Sequence, residues 1–348
     1  MSFEPRNILV LDFGQLGDVV MSLPALHAVR ARFPQARISV AAGRAAAQVV
    51  EMSGAADVTL PVDRVGLLKG PKLRAVVRIA QLVREVRRAR FDFVIDLRSF
   101  SETNLLGYLS GAPLRLFSPR QSRSLDFLSN FRPPPPREDL NKHWVDRYVD
   151  LLAPLGIGEV PRVPRLRTHN QDDEAVERIL REHHAGRDGP LVGVFPGAGS
   201  QDRRWPLLRF AEVAAMLEQN DGARIVLFAG PEEQAMVHEA RTRFSAATIY
   251  LDRLTLSQLA SAAARLAVFV SNDTGPMHVA AAVGTPIVML LGHPTLDSCI
   301  PIGDHHRVVR GHPLTQITTA DVYEAVRSAL TARGGVAGPP AGLPLFSG

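Results

Sequence analysis

The sequence predicts an α/β protein built from two doubly wound, parallel-sheet domains. Three observations point there. Short apolar runs without polar alternation, such as Asn7–Asp12 and Leu191–Phe195, read as strands buried on both faces. Amphipathic stretches with helical spacing separate these runs in both halves of the chain, and strands that alternate with helices pair in parallel. The 348 residues exceed one typical core and suit two domains of roughly 150–180 residues each.

In the first half, Gly14 and Gly17 break the strand Asn7–Asp12. Residues 18–33 follow as a helix, with Val19, Leu23, Leu26 and Val29 near helical spacing. A second strand is expected over 37–42, helices over 45–52 and Lys72–Arg88, and strands over 58–60 and 93–97. The pattern fails between about 121 and 140. There Pro133, Pro134, Pro135 and Pro136 exclude helix and central strand and read as an exposed, stiff loop. A helix over 142–155 follows. The domain boundary falls at about 160–185, giving an N-terminal domain of 1–165 and a C-terminal domain of 185–333. The second half repeats the logic, with strands over Leu191–Phe195, 224–229, 248–251, 267–271 and Ile287–Leu291, the last closing the series. Helices over 207–219, 232–244, 256–264 and 277–283 lie between them. The tail 334–348, rich in glycine and proline, is expected to be poorly ordered.

Composition narrows the function classes. Hydrophobic residues make up 46% and charged residues 22%, an ordinary globular balance. No apolar run approaches the roughly 18 residues of a membrane helix. The first seven residues carry Glu4 and Arg6 and lack a signal-peptide pattern. One cysteine, Cys299, excludes an internal disulfide framework and fits a reducing compartment, so the cytoplasm is the expected location. The net charge is +5 and the isoelectric point about 9.8. Only Lys69, Lys72 and Lys142 are lysines, so the basic balance is carried by arginine. Coding composition explains that bias as well as attraction to an acidic substrate or membrane surface does. No basic stripe interleaved with aromatics suggests nucleic acid.

Three glycine-bearing loops follow predicted strands, where doubly wound folds bind ligands. The first is Phe13-Gly14-Gln15-Leu16-Gly17-Asp18. It lacks the three-glycine dinucleotide fingerprint, and no acidic residue ends the second strand. Either it receives a ligand at a helix start, or it is a tight turn with Asp18 as a helix cap. The second, 195–200, is followed by Gln201-Asp202-Arg203-Arg204-Trp205-Pro206. There Ser200 and a small-residue loop make room, and Arg203 or Arg204 could reach a phosphate through a charge-assisted fork or simply be solvated. Trp205 is expected to pack between helix and sheet. The third loop is Ser271-Asn272-Asp273-Thr274-Gly275-Pro276-Met277-His278. A hydroxyl, free amides and a glycine at a helix start suit a diphosphate. Asp273 beside a phosphate is repulsive, so it should turn away to fix the loop or meet a sugar hydroxyl. His278 lies four residues after Thr274, on the same helix face. Glu233 opens another helix, where it serves the helix dipole or accepts ribose hydroxyls. No Asp-x-Asp pair or Cys/His cluster is present, so no metal site is expected.

Taken together, these blocks resemble the glycosyltransferase family 9 heptosyltransferases of lipopolysaccharide core assembly. The matching residues are Ile8-Leu-Val-Leu with Leu16-Gly17-Asp18-Val19-Val20 and Pro24-Ala25-Leu26, then Pro196-Gly197-Ala198 with Arg204-Trp205-Pro206 and Arg209-Phe210. Asp273-Thr274-Gly275-Pro276-Met277-His278 completes the set, with weaker support from Phe93-Val-Ile-Asp-Leu97 and Gly230-Pro231-Glu232-Glu233. The resemblance spans about 8 to 310.

It implies a GT-B architecture, two Rossmann-like domains facing across a cleft, with the acceptor on the N-terminal domain and an ADP-heptose donor on the C-terminal one. It implies inverting transfer without metal or other cofactor, Asp18 as the base, and a saccharide or lipid-linked acceptor met in peripheral contact with an anionic membrane. Donor contacts then fall to Ser200, Arg203, Glu233, Asp273, Thr274, Gly275 and His278, and acceptor-side contacts to Gly17 and Arg98. Two positions depart from the family pattern: Arg203 stands where lysine is usual, and Arg98 where a neutral polar residue is common. A helix start stabilises a carboxylate's charge, which works against Asp18 as a base; desolvation on domain closure offsets that. His143 precedes the linking helix without an assigned role. A nucleotide-sugar epimerase or hydrolase of the same build and a non-catalytic nucleotide-sugar sensor are the alternatives. A nicotinamide dehydrogenase is disfavoured by the missing fingerprint.

Overall fold

The computed structural model describes residues 3–63, 66, 72–120, 124–183, 189–292 and 297–334. Strands β1 (Asn7–Asp12), β2 (Arg37–Gly43), β3 (Val58–Val62), β4 (Phe93–Asp96) and β5 (Leu114–Phe117) form one sheet, in the order β3-β2-β1-β4-β5. Strands β6 (Leu191–Phe195), β7 (Arg224–Phe228), β8 (Ile249–Leu251), β9 (Val268–Asn272), β10 (Ile287–Leu291) and β11 (Arg307–Arg310) form the other, in the order β11-β10-β9-β6-β7-β8. Every pairing is parallel. Ile8 and Val10 enter one buried cluster and Leu9 and Leu11 another, so β1 is apolar on both faces and shows no alternation.

The described helices are α1 (Leu16–Arg32), α2 (Arg44–Ser53), α3 (Lys72–Arg88), α4 (Ser101–Leu109), α5 (Trp144–Asp150), α6 (Asn170–Glu182), α7 (Leu207–Asp221), α8 (Gln234–Arg243), α9 (Leu256–Ala263), α10 (Gly275–Ala282) and α11 (Thr319–Gly334). One buried cluster runs from the first sheet through α1, α2, α5, α6, α9 and α10 to Phe195 and Phe228 of the second. The two Rossmann-like units of this GT-B fold therefore share a continuous core. Helix α3 packs Leu82 and Val86 toward the first sheet and leaves Leu73, Val76, Val77 and Ile79 exposed.

Several expectations need correction. The series does not close at Ile287–Leu291: β11 and α11 follow, and α11 takes in Gly334, the first residue of the expected tail. Residues 335–348 lie outside the described residues. Strand β11 escapes notice because it is a four-residue edge bounded by Arg307 and Arg310. The helix expected over 142–155 is shorter. His143 caps α5 at its start, and a separate 3-10 turn, Ala153–Leu155, follows around Pro154, which lacks an N–H. Strand β5 and helices α4 and α6 were not expected at all. In the polyproline run Pro133, Pro134 and Pro136 are exposed, whereas Pro135 is buried.

Two histidines serve the fold as neutral acceptors. His306 Nδ1 accepts from Ile287 N at 3.2 Å, and His143 Nδ1 accepts from Val145 N at 3.2 Å while its Nε2 faces Ile300 O at 2.9 Å. Burial, with His305 and Arg307 adding to it, pulls His306 down to about 3, and burial lowers His143 as well. With folded values below the ordinary 6.5, the folded state binds fewer protons than the unfolded chain. Their contribution is therefore complete above that value and declines as pH falls below it. The melting temperature is expected to drop by roughly 5 °C between about pH 7.5 and about pH 5.5. His306→Asn, which keeps an acceptor near Nδ1, should flatten that slope; a melting temperature independent of pH over this range would contradict the assignment.

Candidate active site

The strand order explains where the candidate loops lie. The first sheet reverses direction of construction between β1 and β4, the second between β6 and β9. Doubly wound sheets bind ligands beyond the carboxyl ends of strands at such reversals. The Gly14–Asp18 loop follows β1 and the Arg98 loop follows β4. Residues 196–206 follow β6, and Asp273 and Thr274 follow β9.

These loops meet across the two units. A Cβ added to Gly17 would lie 2.8 Å from Cδ2 of His278, and one added to Gly275 would lie 2.7 Å from Cβ of Leu16. Only glycine permits either approach. The N-termini of α1 and α10 are thereby pressed together, and both present free amides and the positive end of a helix dipole to one place.

On the first side, Asp18 is the helix cap that the sequence offered as one reading of this loop. Its Oδ2 accepts from Gln15 N at 2.9 Å and caps α1. Its Oδ1 faces Arg98 Nη1 at 3.3 Å. Arg98 is held in turn by donating to the Tyr148 hydroxyl at 2.6 Å. Burial opposes its charge, but Tyr148, Asp18 and Asp12 outweigh that and hold its proton more firmly than usual. Asp96 fixes the loop by accepting from Arg98 N, Ser99 N and Asn104 Nδ2 at 3.1, 2.7 and 2.8 Å. Burial pushes its carboxyl up to about 7 against those bonds. Asp12 lies behind Asp18, accepting from Ser22 Oγ at 2.5 Å and Gly14 N at 3.3 Å. Its carboxyl is raised by burial too.

On the second side, Asn272 ties two loops together. Its Nδ2 donates to Pro196 O and Gly197 O at 2.9 and 3.2 Å, and its Oδ1 accepts from Trp205 N at 3.0 Å. Thr274 stands at the N-cap position of α10 without a side-chain capping bond, its hydroxyl 3.1 Å from Ser271 Oγ. Asp273 turns toward His278 and Arg203: Oδ1 is 3.8 Å from His278 Nε2 and Oδ2 is 3.8 Å from Arg203 Nη1. Arg203 is half-exposed and donates through Nε to Ser200 Oγ at 3.0 Å. Arg204 spends its Nε and Nη2 on Ala198 O at 3.0 and 2.8 Å, which leaves Arg203 as the arginine placed for a ligand. Trp205 is buried between helix and sheet, edge-on to Phe210 at 4.9 Å and donating to Ile317 O at 3.1 Å. Glu233 is buried at the outer edge. Its Oε2 accepts from Gly230 N at 3.0 Å, and its Oε1 lies against Gly197.

The structure thus gathers Gly17, Asp18 and Arg98 opposite Arg203, Asp273, Thr274, Gly275 and His278, with Ser200 and Glu233 at the rim. It also places Arg120, Glu138, Trp144 and Arg147 beside Arg98. These four come from an irregular stretch and a short helix, so no periodic signal in the sequence marks them.

The family model for glycosyltransferase family 9 (heptosyltransferase) matches residues 79–322. The chain belongs to glycosyltransferase family 9. Lipopolysaccharide heptosyltransferase 2 of Salmonella typhimurium is 28% identical over 347 residues, covering 94% of this chain and 92% of that one. A solved family 9 glycosyl transferase from Veillonella parvula has the same fold, with a TM-score of 0.82 at 24% identity over 95% of this chain and 99% of that one. The E. coli heptosyltransferase WaaC, solved with ADP-2-deoxy-2-fluoro heptose, gives a TM-score of 0.73 at 21% identity over 92% and 99%. The resemblance read from the three loops therefore holds: this family 9 chain is an enzyme, a glycosyltransferase on a GT-B fold.

Proposed function

We propose that this glycosyltransferase moves heptose from ADP-heptose to a saccharide acceptor of the lipopolysaccharide core, in the cytoplasm, with inversion at the anomeric carbon and no metal ion. The observation that supports this reading is the contact of the two helix starts, which brings the Asp18 loop against the N-terminus of α10. The names of the lipopolysaccharide heptosyltransferase relatives and the sugar nucleotide in the WaaC structure support acceptor and donor.

In this reading the donor diphosphate rests on the Thr274 hydroxyl and the Gly275 amide, with Arg203, Ser200 and His278 around it and Glu233 reaching the ribose hydroxyls. An acceptor hydroxyl attacks the anomeric carbon from the face opposite the diphosphate. The new carbon–oxygen bond forms as the bond to the diphosphate oxygen breaks, the hydroxyl proton passes to Asp18 Oδ1, and ADP leaves. The amides of α10 and the Arg203 guanidinium meet the charge that grows on the leaving group. Arg98 Nη1 stands 3.3 Å from Asp18 Oδ1, and bound substrates exclude water from the pair.

A lipid-linked acceptor requires contact with a membrane surface, and α3 offers one. It carries Arg74, Arg78, Arg84, Arg87 and Arg88 against a single acid, Glu85, with Leu73, Val76, Val77 and Ile79 exposed. Exposed apolar side chains beside excess arginine suit an anionic leaflet. Among the described residues no helix is long and apolar enough to cross a membrane.

Asp18→Asn should lower kcat by about 100- to 10,000-fold while ADP affinity, measured calorimetrically, stays within about threefold. Full activity sinks the base assignment, and consumption of ADP-heptose without acceptor would make the enzyme a hydrolase or epimerase. In sedimentation with phosphatidylglycerol vesicles, Val76→Glu with Val77→Glu should weaken binding about tenfold or more relative to the parent. Equal sedimentation of parent and variant would remove α3 from the membrane contact.

A further inference from the structure

A groove of about 760 Å³ opens on the N-terminal unit, away from the candidate active site. Helix α3 leads into β4 and α4 into β5, so both helices end near the amino ends of those strands. The Asp18 and Arg98 loops stand at the opposite, carboxyl ends. Val76, Ile79, Ala80 and Val83 of α3 and Leu109 of α4 line the groove. Val76, Ala80 and Val83 follow helical spacing and form one stripe along α3. From Val76 to Val83 that stripe runs about 10 Å. Arg84, Arg87, Arg88 and Arg90 continue the lining toward the end of the helix.

Neither half of this lining is satisfied by the rest of the chain. Val76 is 61% and Ile79 41% exposed, while Leu82, Val83 and Val86 hold α3 to the sheet. The four arginines make no side-chain hydrogen bond or ion pair among the described residues, and Glu85 is the single acid on the helix. Arg87 and Arg88 suit the carbonyl end of a helix dipole, but that accounts for neither Arg84 nor Arg90. Arg90 takes a φ of 52°, a left-handed conformation that at a helix end usually falls to glycine or asparagine. A Cβ costs stability there, and the residue that bears this cost adds a fourth guanidinium to the groove.

An apolar wall that grades into unpaired cations matches an amphiphile with an anionic head. A second copy of this chain would bring arginine against arginine. Free phosphate would leave the apolar wall bare, and a neutral apolar molecule would leave the arginines unused.

We propose that this groove binds one anionic phospholipid of the membrane leaflet, with an acyl chain along Val76, Ala80 and Val83 and the phosphate among Arg84, Arg87, Arg88 and Arg90. This rests on the reading of α3 as the membrane contact and gives that contact a seat for a single lipid. Guanidinium forks match the phosphate oxygens, and the seated headgroup fixes how the N-terminal unit lies on the leaflet.

The test is calorimetric titration of the full chain with dihexanoyl phosphatidylglycerol below its micelle concentration, where no bilayer surface exists. Dihexanoyl phosphatidylcholine and glycerol 3-phosphate are titrated alongside. The phosphatidylglycerol should bind at least about tenfold more tightly than either. Ala80→Trp, which fills the groove, and Arg84→Gln with Arg88→Gln should each weaken that binding about tenfold or more. Unchanged circular dichroism shows that a variant is folded. Arg90→Gly, which suits the left-handed backbone and removes the charge, replaces any that is not and should also bind more weakly. Equal affinity for the phosphatidylcholine, equal affinity for glycerol 3-phosphate, or folded variants that bind like the parent overturn the lipid seat. A dimer in sedimentation velocity that Ala80→Trp dissociates overturns it too, by giving the groove to a second copy. Sedimentation of the parent with phosphatidylglycerol vesicles decides the underlying reading separately. Vesicle binding without binding of the short-chain lipid keeps α3 as a membrane contact and removes the seat. Binding of the short-chain lipid by a protein that ignores vesicles keeps the lipid groove and removes the membrane contact.

Discussion

The starts of α1 and α10 touch, with Gly17 against the His278 ring and Gly275 against Leu16, and this contact constrains everything else in the site. Each helix follows the strand at its sheet's reversal, so each start carries its own unit's ligand position. Pressing them together turns two half-sites into one. It also explains the buried cluster that runs unbroken from one sheet to the other through these same helices. Any side chain at Gly17 or Gly275 would have to displace the ring or the leucine that meets it, so the candidate site and the seam of the fold share these contacts.

Electrostatics divides the site into two halves with opposite needs. On the α10 side, amides, the Arg203 guanidinium and His278 gather at one place, with Asp273 turned toward Arg203 and His278. Under the proposed transfer, that half would meet an anion that gains charge as it leaves. On the α1 side a carboxylate must survive among cations. Asp18 divides its two oxygens, one capping the helix and one facing Arg98. Its neighbour Asp12 is buried behind it, with its carboxyl raised by burial and bonded to Ser22 Oγ and Gly14 N.

The sequence made the core of this arrangement legible because the features involved are local. A strand, a small-residue loop and a helix start lie within a few residues of one another in each of the three loops, and their order along the chain carries the family resemblance. The loop after β1 was legible only as alternatives, a ligand site or a turn capped by Asp18, and the capping bond is the part that the structure displays. Arg98, Arg120, Glu138 and Arg147 are a different case. Arg98 drew notice as a departure from the family pattern, but its partners come from the stretch between β5 and the end of α5, where prolines suppress periodicity. Their meeting around Trp144 depends on the packing of α5 against α1, which no local pattern records. The missed β11 failed for a simpler reason, being four residues long with arginine at both ends.

The most direct measurement of the central claim is amide hydrogen exchange of the protein with and without ADP. One shared site predicts that ADP slows exchange at Thr274–His278 and, through the Gly17–His278 contact, also at Gly17 and Asp18 on the other unit. Protection that left Thr274–His278 unchanged, or that stopped at α10 without reaching α1, would contradict the account.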